Sequence, residues 1–160
     1  FRRDYEGDGI NGLLNYGYAV LRAAVARALV SAGLTPALGI HHCNRSNAFC
    51  LADDLVEPLR PLVDYRVRQL HAKGCVELGK EAKTGLLELL TFPVGVGEFE
   101  GPLMVALHRY AASFVRCLSG VKNRTISTVH SIVGCCNRCC NRCCNRCCNR
   151  CRCGCQSMCC

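Results

Sequence analysis

Between residues 10 and 32 the side chains Ile10, Leu13, Leu14, Leu21, Ala24, Val25, Ala28, Leu29 and Ala32, with Gly17 among them, recur three and four positions apart. That spacing gathers them on one face of a helix, and such a face must be covered by other elements of the fold. Gly33 and Pro36 stop the pattern and Asp8 is a candidate N-cap, so the segment predicts a helix of about 24 residues, or ~36 Å. Asn15, Arg22 and Arg27 interrupt it. Arginine at the centre of a bilayer is too costly for this helix to be a membrane span.

Residues 35–49 have no helical period, carry the adjacent His41 and His42, and read as a loop or a brief extended stretch. Helical spacing resumes through Leu51, Leu55, Leu59, Leu62, Val63, Val67 and Leu70, although Pro58 and Pro61 fall inside the run. Neither proline can donate to the carbonyl four residues back, which belongs to Asp54 and Glu57 respectively, so the helix should bend or restart beside those acids. A third helix is expected over residues 77–90, weakened by Gly79 and Gly85. The glycine- and proline-rich residues 91–102 read as a loop. A fourth helix follows with Leu103, Leu107, Tyr110, Ala111, Phe114 and Leu118 on one face, and Gly120 ends it. No alternating run of strand length competes, so the fold class is read as all-α.

The formal net charge of +8 invites a nucleic-acid reading until it is located. Residues 1–120 hold 13 Lys and Arg against all 12 Asp and Glu, while residues 121–160 hold 7 Lys and Arg and no acid. The body is nearly neutral, so DNA binding there needs a local basic patch or partner subunits. Cysteine is equally lopsided, with Cys43, Cys50, Cys75 and Cys117 in the body and 13 more from Cys135 onward. The first four read as small buried hydrophobes in a reducing cytosol. The chain opens on Phe1 without a basic stretch leading into an apolar one, so no signal peptide is read and an N-terminal truncation is expected.

The constellation that could carry chemistry is His42 with Asp54 and Glu57. Acids three apart share a helix face, and with an imidazole from a neighbouring element they can hold a cation of the magnesium or manganese class. On spacing alone the pair is as readily a solvated helix face, and His41 and His42 as readily one packed and one exposed side chain.

The surrounding sequence adds to this. "LGIHHCNRSNAFCLADDLVEPLRPLVD", residues 38–64, resembles the signature of the CRISPR-associated integrase of spacer acquisition, in the form with paired histidines and an Asp-Leu-x-Glu-Pro turn found in type II systems. "NGLLNYGYAVLRAAVARALVSAGLTPALG" before it resembles the family's preceding long helix, and "LLELLTFPVGVGEFEGPLMVALHRYAASFVRCLSG" after it resembles the last helices. The resemblance implies a C-terminal helical catalytic domain over residues 1–120 of a metal-dependent DNA endonuclease and integrase. It implies His42 as a catalytic metal ligand, His41 as its neighbour, Glu57 as the second ligand and Asp54 as a helper or alternative ligand, with Mg2+ or Mn2+ as cofactor. Arg45 and Arg60 are the expected DNA contacts; Arg60 could instead orient Glu57 or form a salt bridge to Asp64. The family's third ligand is a glutamate on a helix upstream of Phe1, accompanied by an N-terminal β-rich domain, and Glu6 resembles the loop after that helix. The isolated chain is therefore expected to be nearly inactive. The complete form is expected to be cytoplasmic, to dimerise, and to join a smaller CRISPR-associated partner on DNA, away from any membrane.

Residues 121–134 read as a linker, and from Cys135 the chain repeats Cys-Cys-Asn-Arg four times before "CRCGCQSMCC". Nothing in the family corresponds to this tail. A four-residue period suits a simple DNA repeat read in the wrong frame; the rival reading is a zinc or soft-metal sink, since Cys136 and Cys139, and Cys140 and Cys143, have ligand spacing. With almost nothing apolar to pack, the tail is expected to be disordered unless oxidised or metal-loaded. Two other functions remain open beside the enzyme fragment: a non-catalytic helical scaffold that binds DNA and dimerises, and a cysteine-rich metal-binding protein.

Overall fold

The computed structural model describes residues 9–120 and 129–131. The candidate cap Asp8, Glu6, most of the expected linker and the cysteine repeat lie outside the described residues.

The first helix, α1 (Ile10–Ser31), runs through the middle of the molecule, with Leu13, Leu21 and Leu29 wholly buried. Four further helices pack on it, which is how its apolar face is covered. Ile10, in the first turn, is the exception at 41% exposed. The prolines act as expected. Helix α2 (Cys50–Val56) passes into a 3-10 turn at Glu57–Leu59 and restarts as α3 (Arg60–Ala72). The helix expected from residue 77 begins later, as α4 (Lys80–Leu87), and tightens into a 3-10 turn over Glu88–Thr91. The buried Arg66 joins α3 to this element. Its Nε donates to the Gly85 carbonyl at 2.7 Å and its Nη2 pairs with Glu88 at 2.5 Å, so a charge that burial would otherwise penalise is satisfied.

The all-α reading needs correction between residues 91 and 102. Strands β1 (Pro93–Val96) and β2 (Phe99–Pro102) form an antiparallel hairpin, and β3 (Val129–Ser131) pairs with the other edge of β1. Val96 faces Phe99 across the two-residue turn, where Gly97 takes φ +61°, a conformation that favours glycine. Val94, Gly95 and Val96 are all buried, so β1 shows no alternation to read. The fold is thus mostly helical with a small three-stranded sheet, and β3 falls within the stretch expected to be a linker.

Helix α5 (Leu103–Leu118) closes the core with Leu103, Ala106, Leu107, Tyr110, Ala111 and Phe114. Leu118, expected on that face, lies in the last turn and is 58% exposed. Of the body cysteines only Cys50 is fully buried; Cys75 and Cys117 are half-buried and Cys43 is exposed. No helix among the described residues is long and apolar enough to cross a membrane.

Candidate functional site

The segment joining α1 to α2 has no regular structure, yet it is closely held. The Leu51 amide donates to the Pro36 carbonyl at 2.7 Å. A Cβ at Gly39 would lie 2.2 Å from the His42 carbonyl oxygen and 2.7 Å from the Cys50 Cβ, so only glycine lets residues 39–42 fold this tightly against the start of α2. The polar cluster that follows organises itself. Asn44 and Asn47 accept the amides of Ser46 and Phe49 through their side chains, and Asn47 Nδ2 donates to Asp53 at 2.7 Å. From α1, Arg22 lies 3.8 Å from Asp53 and 5.2 Å over the Phe49 ring.

Asp54 is the pivot of the site. Its carboxylate accepts the consecutive amides of Ile40 at 2.7 Å, His41 at 3.0 Å and His42 at 3.2 Å, and also the His42 ring Nδ1 at 2.5 Å. Its side chain is only 10% exposed. Burial pushes the Asp54 pKa up, but the hydrogen bonds from the His41 amide, the His42 ring and the Ile40 and His42 amides outweigh it, bringing the pKa from 3.8 to about 2. A carboxylate so ionised can only accept, so His42 Nδ1 carries a proton. In the neutral ring this leaves the Nε2 lone pair available.

Glu57 stands in the 3-10 turn, and Arg60 Nη2 donates to its Oε1 at 2.8 Å. Of the alternatives for Arg60, the pairing with Glu57 forms and a bridge to Asp64 does not. Asp64 instead accepts the hydroxyl of Tyr18 on α1, and the Arg60 guanidinium lies 5.5 Å over the Tyr18 ring. His42, Asp54 and Glu57 line one open cleft of about 550 Å³ together with Ile40, His41 and Leu55. The His41 ring meets that of His42 edge-on at 5.7 Å. Arg60 lies outside the cleft lining; so does Arg45, exposed on the loop.

Tyr110 and Phe114, which the helical period assigns to the core, form the part of the cleft contributed by α5. Burial pushes the Tyr110 hydroxyl up, so it stays protonated at neutral pH. Their spacing of four was the available signal, but it is shared by every core pair on a helix.

An imidazole nitrogen and a carboxylate oxygen are donors that suit Mg2+ or Mn2+. His42 and Glu57 supply one of each, while the oxygens of Asp54 are taken up by four hydrogen bonds. Among the described residues no group of three or more His, Cys, Asp and Glu side chains comes close enough to hold a metal ion. The donor types fit such an ion, and this chain's described residues provide part of the coordination it requires.

The fold is similar to that of a solved structure described as "Casposase bound to integration product". That structure matches with a TM-score of 0.63 and 26% identity, covering 76% of this chain and 41% of the casposase chain. A family model described as "CRISPR associated protein Cas1" matches residues 2–85, more than half of the sequence. The chain belongs to this family. It is 40% identical over 111 residues to the CRISPR-associated endonuclease Cas1 of Neisseria meningitidis serogroup C, a match covering 68% of this chain and 36% of the relative. It is 38% identical over 124 residues to the CRISPR-associated endonuclease Cas1 2 of Pyrobaculum aerophilum, covering 72% and 40%. The chain thus spans well under half the length of these two relatives.

Proposed function

We propose that this chain is the helical part of a divalent-metal-dependent DNA endonuclease and integrase of CRISPR spacer acquisition, with His42 and Glu57 as metal ligands. The observation that carries this is the placement of an oriented imidazole and a solvent-reachable carboxylate on one cleft of a Cas1-family domain. Mg2+ or Mn2+, when bound there, supplies Lewis acidity to a phosphodiester. The role of His42 is to present Nε2, and that of Asp54 is to fix the His42 tautomer and ring rather than to ligate, as carboxylates behind metal-bound histidines do. Glu57 offers the second donor. Arg45 is an exposed cation that can meet a DNA phosphate, whereas Arg60 is engaged with Glu57 and its contact with DNA would require that pair to open.

DNA as substrate belongs to the same proposal, supported by the relatives named endonucleases and by the casposase bound to its integration product; dimerisation and a smaller CRISPR-associated partner subunit are part of the proposal through the family alone. A chimera tests it: residues 9–120 of this chain replace the matching region of the Neisseria meningitidis relative. Manganese-dependent DNA cleavage by the chimera that disappears with His42→Ala is the expected result. An intact, DNA-binding chimera that does not cleave sinks the catalytic reading and leaves the scaffold, whereas one that cleaves equally without His42 sinks the assignment of His42 as a ligand.

A further inference from the structure

Glu57 is joined to a short chain of contacts that begins on α1 and takes no part in the cleft lining. The Tyr18 hydroxyl donates to Asp64, the Arg60 guanidinium lies 5.5 Å over the Tyr18 ring, and Arg60 Nη2 holds Glu57 Oε1 at 2.8 Å. Neither Tyr18 nor Arg60 lines the cleft. Arg60 Nε is buried without a hydrogen-bond partner, a cost accepted only where the rest of the guanidinium is well held. The guanidinium is a rigid fork, and a ring beneath it restricts the directions in which that fork can point. Glu57 has no comparable restraint of its own, since its side chain is 46% exposed.

We propose that Tyr18 is a positioning residue for the candidate cation site: anchored through Asp64, its ring sets Arg60, and Arg60 sets the Glu57 carboxylate so that Oε2 is presented to the cleft. This rests on the reading of Glu57 as a ligand. It assigns a function to a residue on the central helix that the helical period does not single out. Tyr18 also offers a cleaner test than Arg60. Removing the arginine changes the charge beside the bound cation as well as the geometry, whereas replacing Tyr18 with Phe or Leu alters no charge at neutral pH, so any effect on cation binding arises through position.

The test uses the full chain labelled for NMR, as wild type, Tyr18→Phe and Tyr18→Leu. Without metal, wild type is expected to show a single Glu57 rotamer and slow exchange of the Arg60 Nε proton, and Tyr18→Leu is expected to average the first and accelerate the second. Mn2+ is then titrated and the broadening of His42 and Glu57 signals followed. Loss of an outer-shell partner commonly weakens metal binding about 10- to 100-fold, and Tyr18 lies one contact farther out, so Tyr18→Leu is expected to raise the Mn2+ midpoint about 3- to 10-fold. Tyr18→Phe, which keeps the ring and loses its anchor, is expected to move it less and in the same direction, and carries the test if the Leu variant does not fold. Folded variants that keep one Glu57 rotamer, or that leave the Mn2+ midpoint unchanged, overturn the proposal. If Glu57 loosens in the variants while wild-type His42 never responds to Mn2+, the positioning of Glu57 stands and the cation reading falls.

Discussion

Asp54→Ala is expected to destabilise the domain by about 3 kcal/mol, lowering its melting temperature by roughly 10 °C. The substitution removes the common acceptor of the Ile40, His41 and His42 amides and of the His42 ring. Hydrogen bonds to a charged group contribute about 1.5–3 kcal/mol each, but the freed amides regain water as the segment loosens, so the net loss is nearer one such bond or two than four. Acid should mimic part of the effect. Because folding lowers the Asp54 pKa from 3.8 to about 2, its stabilisation is present above the unfolded value and is lost as pH falls toward the folded one. The size of that loss is on the order of 2 kcal/mol between about pH 5 and pH 1. Thermal melts of wild type and Asp54→Ala at neutral pH, repeated for wild type down the acid range, check both; an Ala variant that melts with wild type would show that the amides find other acceptors.

The second large effect concerns the division of labour between the two acids. In the cleavage assay with the chimera, Asp54→Asn is expected to cost about 10- to 100-fold, the usual penalty for a lost partner behind a metal-bound histidine. Glu57→Gln is expected to cost more and to bring cleavage near background, since an amide oxygen is a poor substitute for a charged ligand. Metal dependence separates them further. Raising Mn2+ should recover a large part of the Asp54→Asn loss, where the imidazole is merely misdirected, and little of the Glu57→Gln loss. A reversed order, with Asp54→Asn the more damaging and insensitive to Mn2+, would make Asp54 the ligand.

Much of this arrangement is legible in the sequence, and the parts that are not have identifiable reasons. The central helix shows itself because a buried face over six turns leaves a long periodic trace, and the restart at Glu57–Leu59 follows from what Pro58 and Pro61 cannot donate. The hairpin hides because β1 is buried at three consecutive positions, two of them valine about a glycine, and because one of its partners, β3, comes from more than thirty residues away. The spacing of Asp54 and Glu57 brings them together but cannot tell which carboxylate the backbone of residues 40–42 will use. That depends on the fold of the intervening loop, which the close approach at Gly39 and the hydrogen bonds of Asn47 help to set. The choice of Glu57 over Asp64 by Arg60 is likewise settled off the helix, by a tyrosine on α1 that engages Asp64 first.

The central claim is that His42 and Glu57, and not Asp54, bind the cation. Anomalous diffraction from Mn2+-soaked crystals of the chimera tests it most directly. The expected result is a manganese peak at ligand distance from His42 Nε2 and a Glu57 carboxylate oxygen, with Asp54 still bonded to His42 Nδ1. A peak coordinated by Asp54, or manganese bound elsewhere while this cleft holds none, would contradict it.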